Sequence, residues 1–181
     1  MMKLALTGVI AATAYVLFTF LRIPMPGGLT AVHLGNAVCV LGALLLGGVY
    51  GGLGASLGLV IADLTSPYFI FAPTTFVLKL LIGLITGFIA HRIGKINGEN
   101  DPKKVFMWTS LAAAGGLMFN MVVAPLVNYY YQVLLLGRST ADITLSFNIL
   151  ASVINAVTSL VVSVSAYIAL RPALKKIGFL E

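Results

Sequence analysis

The sequence predicts an all-α membrane protein of six transmembrane helices with both termini cytoplasmic. Three observations carry that expectation. Hydrophobic residues make up 60% of the chain and charged residues 9%, against roughly 25% charged in soluble domains, and the mean hydropathy is +1.05. Uncharged apolar runs long enough to cross a bilayer recur along the chain. The basic residues gather in a few short stretches between those runs, as the positive-inside rule requires. With 11 Lys and Arg and 5 Asp and Glu in 181 residues, no water-facing surface can be covered, so a soluble fold is excluded. The length fits one transmembrane domain, residues 1–181.

The first helix is expected at about 4–21. Its opening, MMKLALTGVIAATA, also has the form of a signal peptide, but cleavage after Ala14 would strand the apolar YVLFTFL, whereas one uncharged helix leaves no remainder. The second and third helices are expected at 33–46 and 51–63, separated by a GGVYGG hairpin in which glycine supplies backbone angles that other residues resist. Charge decides between two short helices here and one long one. With six helices Lys3, Arg92, Lys95, Lys103, Lys104, Arg171, Lys175 and Lys176 share a side, leaving Arg22 and Arg138 opposite. With five, the basic 91–103 loop moves across from Lys3, which the positive-inside rule disfavours.

The fourth helix is expected at 73–91, the fifth at 104–136 with a kink at Pro125, and the sixth at 148–170. Three short loops, 22–32, 64–72 and 137–147, then lie on the outer side.

The net charge of +6 belongs to these loops. There is no aromatic-interleaved basic patch, so nucleic-acid binding is not expected. The lone Cys39 excludes an internal disulfide or thiolate cluster, and His33 and His91 fall at opposite membrane faces, so no metal site is expected. Phosphate-loop, nucleophile-elbow and HExxH motifs are missing, as is a carboxylate pair within the membrane, which argues against an enzyme.

The polar residues inside the apolar runs carry the functional signal. Lys79 lies about two turns into the fourth helix, on a stripe with Thr75 and Thr86, and a charge at that depth needs a partner or a task. Two roles are open: an ion pair with Asp63, and donation to an acceptor-rich ligand. Asn148, Ser152, Asn155, Ser159 and Ser163 form a polar seam on the sixth helix, its outer end suited to a ligand wall and its deeper serines to packing. Asn128, Tyr131 and Gln132 share an outer face of the fifth helix, while the neighbouring tyrosines suit an interfacial belt. His33, one turn before Asn36, suits a capping contact. On the first helix Ala5, Gly8 and Ala12 line one face and Thr7, Ala11 and Ala14 the next, which lets another helix approach closely.

The small-residue ALTGVIAATA, the loop RIPMPGG, LGALLLGGVYGGLGASLGLVIADL ending at Asp63, YFIFAPTTFVLKLLIGLITGFIA with Lys79, and FNILASVINA together resemble a substrate-binding S component of the energy-coupling factor (ECF) vitamin transporters. The resemblance implies capture of a small vitamin from outside and docking on a coupling transmembrane subunit driven by two ATPases, in a bacterial cell membrane, with no cofactor of its own. It places Gly8, Ala11 and Ala12 against the coupling subunit, and Asn36, Lys79, Asn128, Tyr131, Asn148, Ser152 and Asn155 around a ligand beneath the 22–32 loop. The start Met1-Met2-Lys3 lacks the Met-His of the nickel and cobalt branch. A single tryptophan, Trp108, departs from the tryptophan-rich thiamine binders. The APTTFVLK region looks most like the hydroxymethylpyrimidine or pyridoxine-type branch, with riboflavin and pantothenate left open. A self-sufficient secondary transporter is the competing class, although its two halves would be expected to repeat and do not.

Overall fold

The computed structural model describes residues 2–26, 30–137 and 141–180. Gly27 to Leu29 in the middle of the expected lid, Arg138, Ser139 and Thr140 of the expected last loop, Met1 and Glu181 lie outside the described residues. Six α-helices are present among the described residues: α1 (Met2–Phe20), α2 (Gly35–Leu46), α3 (Gly48–Leu64), α4 (Ala72–Gly87), α5 (Pro102–Tyr130) and α6 (Ala141–Lys176). Four stretches are long and apolar enough to cross a membrane, namely Met2–Phe20, Phe69–Ile93, Pro102–Leu135 and Asp142–Lys176. The chain is a multi-pass membrane protein. At 12 residues α2 is about 18 Å long, well short of a roughly 30 Å hydrocarbon core.

α1 buries only the stripe Ile10, Ala14 and Phe18 and leaves most of its surface exposed. It stops before Pro24, which has no N–H to extend it, and the chain then forms a small antiparallel ribbon of β1 (Ile23–Pro24) and β2 (Ala31–Val32), Ile23 opposite Val32 and Pro24 opposite Ala31. Apart from this ribbon of two residues per strand, the regular elements among the described residues are helical, as the all-α expectation holds. A Met25 N–H bond to the Thr30 carbonyl, 2.9 Å, extends the pairing.

α2 is the buried centre of the bundle, with Cys39, Val40, Ala43 and Leu44 fully enclosed. The expected six-residue GGVYGG hairpin shrinks to one residue. Gly47, at φ 86°, ends α2 and begins α3, an angle a side chain resists. The glycines after it are helical, and they serve close packing. A methyl on Gly51 would overlap the Gly42 backbone of α2, one on Gly87 would overlap Gly48, and one on Gly83 would overlap Gly52. On another face of α3, Gly54 and Gly58 meet the Thr7 and Ala11 carbonyls of α1. α3 is thereby seamed to α1, α2 and α4 backbone to backbone.

α4 continues as a π-helical segment, Phe88–Ile93, and α5 ends in another, Tyr131–Leu135. α5 starts with Pro102 in its first turn under an Asp101 cap whose side chain accepts from the Lys103 N–H at 2.9 Å. It runs unbroken through Pro125. α6 begins at Ala141 rather than near 148 and continues past Pro172 to Lys176, so the connection from α5 to α6 is shorter than expected.

The basic end of the bundle is tied together by hydrogen bonds. Arg171 donates to the Ile96 carbonyl (3.0 Å) and the Glu99 carbonyl, Lys175 to Asn100 Oδ1 (2.9 Å), and His91 Nε2 to the Ala43 carbonyl (3.0 Å). Lys3 lies near enough to His91 to act on it electrostatically. The beginning of α1, the 94–101 loop and the end of α6 therefore share one end of the molecule.

Candidate ligand-binding cavity

The opposite end opens into a cavity of about 650 Å³ of atom-free space, its mouth included. Every helix contributes. α1 gives Phe18; α2 Asn36; α3 Leu59 and Asp63; α4 Thr75 and Lys79; α5 Asn120, Ala124 and Asn128; α6 Asn148, Ser152 and Asn155. The β2 side adds Thr30, Ala31 and His33, and the α3–α4 connection adds Tyr68 and Phe71. Polar groups thus converge within walls that include three aromatic rings, as small-molecule sites require.

The seven wall residues expected from sequence take different places. Asn36, Lys79, Asn128, Asn148, Ser152 and Asn155 line the cavity. Tyr131 does not; its ring packs on Phe71, centroids 6.2 Å apart, one layer behind the wall. Asn155 lines the wall while its side-chain amide is engaged with backbone, accepting from the His33 N–H (2.8 Å) and donating to the Ala31 carbonyl (3.1 Å). Asn128 Oδ1 accepts from the Thr74 hydroxyl at 3.1 Å, and its carbonyl accepts from Gln132, which in turn accepts from Thr144. This chain of bonds holds the ends of α4, α5 and α6 together. Ser159 and Ser163 are fully buried below the cavity.

Lys79 makes no ion pair with Asp63, although each lies within electrostatic reach of the other. Among the described residues its Nζ donates only a long bond, 3.4 Å, to Asn120 Oδ1. The Thr75 hydroxyl lies near enough to act on the Asp63 carboxylate, yet among the described residues Asp63 Oδ2 is buried without a partner, as are Asn36 Oδ1 and Asn148 Nδ2. Buried polar atoms are nearly always satisfied, and leaving one unmade costs about 1–3 kcal/mol. Four groups around one cavity with spare hydrogen-bonding capacity, two accepting and two donating as the amides are oriented, describe a surface shaped for a polar ligand.

Asn120, which also lines the cavity, was not among the wall residues expected from sequence. The signal was present: Asn120, Ala124 and Asn128 recur at i, i+4, i+8 and face the cavity together. Asp63 was weighed only as a partner for Lys79. The aromatic wall had a weaker signal, Phe18 closing the buried stripe of α1 and Tyr68 standing in an exposed-looking loop. His33 makes the expected capping contact, its Nδ1 accepting from the Gly35 N–H at 3.0 Å.

A family model described as "ECF-type riboflavin transporter, S component" matches residues 1–172. The chain belongs to this family. It is a membrane vitamin-binding subunit of an ECF transporter, and the family is one of transporter components rather than enzymes. Comparison with curated proteins and with solved structures gave no match. Membership answers the secondary-transporter alternative and implies a vitamin ligand and an ECF module as partner. It carries a riboflavin label and lends nothing to the hydroxymethylpyrimidine or pyridoxine branch, which the APTTFVLK region had favoured.

In this S component the expected docking residues do not lie together. Gly8 and Ala12 are exposed on the outer face of α1, and a methyl on Gly8 would meet nothing within 4 Å. Ala11 is half-buried, and its backbone is the surface on which Gly58 of α3 packs.

Proposed function

We propose that the protein captures riboflavin from outside the cell and delivers it by docking on an ECF coupling subunit powered by two ATPases. The observation that carries this reading is the set of groups with spare hydrogen-bonding capacity, Asn36 Oδ1, Asp63 Oδ2, Asn148 Nδ2 and the Lys79 ammonium, in a cavity walled by Phe18, Tyr68 and Phe71. A flavin presents a flat tricyclic ring, suited to aromatic walls. One edge alternates carbonyl acceptors with an imide N–H donor, and its ribityl chain carries hydroxyls. Lys79 and Asn148 serve the carbonyls, Asp63 or Asn36 accepts from the imide, and Ser152 and Asn120 suit hydroxyls. Asn128 and Asn155 act mainly by holding the wall, and Tyr131 by backing Phe71.

All six helices cross the membrane in this reading, with the Lys3, 94–101 and Arg171–Lys176 end cytoplasmic by the positive-inside rule and the cavity outside. Docking uses the exposed face of α1 around Gly8 and Ala12, with Ala11 shaping that helix from behind.

Titration of the purified chain with riboflavin, followed by quenching of flavin fluorescence, tests the substrate. One-to-one quenching that excess hydroxymethylpyrimidine, pyridoxine or pantothenate fails to reverse is expected. Binding of one of those compounds with no response to riboflavin would replace the flavin reading while leaving the family intact.

A further inference from the structure

We propose that Asn155 is a positioning residue that latches the β1–β2 ribbon over the cavity and so sets how long a ligand stays. The inference rests on the ligand-capture reading for its kinetic consequence and on geometry alone for the latch. The Asn155 side chain accepts from the His33 N–H at 2.8 Å and donates to the Ala31 carbonyl at 3.1 Å. Those two backbone groups flank Val32, the β2 residue that pairs with Ile23 of β1. One amide of α6 therefore stands beside β2 much as a further strand would, and connects the ribbon to a helix 122 residues away in sequence.

Among the described residues the ribbon has few other ties to the bundle. Tyr68 Oη donates a long bond, 3.4 Å, to the Thr30 carbonyl. Arg22 stacks on Phe18 and Tyr68, 5.4 and 5.2 Å from their centroids, and Phe18 meets the His33 ring edge-on at 4.7 Å. The ring contacts hold over a broad range of separations and so tolerate small displacements, whereas the Asn155 pair fixes where β2 sits. Asn155 and Ala31 are both buried, so breaking the pair leaves an unmet carbonyl and N–H and favours a displaced ribbon.

The test uses the full chain in detergent or nanodiscs with two variants, Asn155→Leu, which removes both bonds, and Asn155→Asp, which keeps an acceptor for the His33 N–H and loses the donor to Ala31. Hydrogen exchange over residues 30–33 without ligand should quicken roughly tenfold or more in Asn155→Leu and less in Asn155→Asp, with α6 still protected. The riboflavin off-rate should rise roughly tenfold to a hundredfold while the on-rate stays within about threefold. Unchanged ribbon exchange in the ligand-free variants would overturn the latch. A loss of affinity lying wholly in the on-rate would do so as well. Failure of both variants to accumulate folded would assign Asn155 to folding and overturn it too. If the parent protein ignores riboflavin, the substrate reading fails, and the ligand-free exchange still decides the latch.

Discussion

The two ends of the α2–α3–α4 unit are built on opposite principles. Near Gly47 the helices touch backbone to backbone through Gly42, Gly48, Gly51, Gly52, Gly83 and Gly87. At the other end the same three helices present Asn36, Asp63, Thr75 and Lys79 and stand around a cavity. Without a hydrophobic driving force between helices in lipid, close contact of small residues is what holds a bundle together. The glycine end supplies that contact and leaves the far end free to carry polar groups that satisfy a ligand instead of each other. Stability and recognition are thus separated along one axis, and substitutions at the two ends should fail differently.

The largest effect should come from the seam. Gly51→Val places a side chain into the Gly42 backbone, which no rotamer can avoid. Overpacking typically costs about 1–3 kcal/mol and more where backbone must move, so little folded protein is expected by size-exclusion chromatography and thermal unfolding. Wild-type yield and melting temperature in this variant would break the comparison at its stable end.

At the cavity end, binding should fall while folding persists. Lys79→Met removes an ammonium whose bond to Asn120 Oδ1 is 3.4 Å long. A hydrogen bond to a charged group is worth about 1.5–3 kcal/mol, so riboflavin affinity should drop about tenfold to a hundredfold by fluorescence titration. The melting temperature should hold or rise, because an unpaired charge is removed from a membrane helix. A collapse in folded yield would instead make Lys79 structural.

A smaller loss is expected for Asp63→Asn, which keeps an oxygen acceptor but gives up the charge. Affinity should weaken by about tenfold or less, with melting near wild type. Loss comparable to Lys79→Met would show that the carboxylate is as central as the lysine.

Least change in stability is expected on the open face of α1. Gly8→Leu meets no neighbour within 4 Å and should shift stability by no more than about 0.5 kcal/mol. Riboflavin binding should be retained, while uptake by the assembled transporter should be lost through exclusion of the coupling subunit. Gly58→Leu, which strikes the Ala11 carbonyl inside the chain, should destabilise the protein itself. Unimpaired uptake with Gly8→Leu would remove α1 from the docking surface.

Much of this architecture was legible in the sequence, and its misreadings have physical causes. Charge placement correctly split the uncharged stretch 31–62 into two helices, because it reports on topology even where hydropathy is continuous. Glycine was read as a loop former across GGVYGG, yet only Gly47 turns the chain. Gly48, Gly51 and Gly52 are packing surfaces, and local sequence does not separate the two uses. STADITLSF read as polar loop, but Thr144 is buried against Gln132 and helix α6 begins there. The cavity polar residues announced themselves by lying in apolar runs. Tyr131 was misplaced because a tyrosine beside Asn128 can face the cavity or back its wall, and only the Phe71 contact decides.

The most direct test of the central claim is a riboflavin titration of the purified parent protein alongside Lys79→Met, with melting temperatures measured on both. The account predicts one tightly bound riboflavin per parent chain, at least tenfold weaker binding in the variant, and equal or higher stability of the variant. Tight riboflavin binding that is indifferent to Lys79→Met, or no riboflavin binding by a folded parent chain, would contradict it.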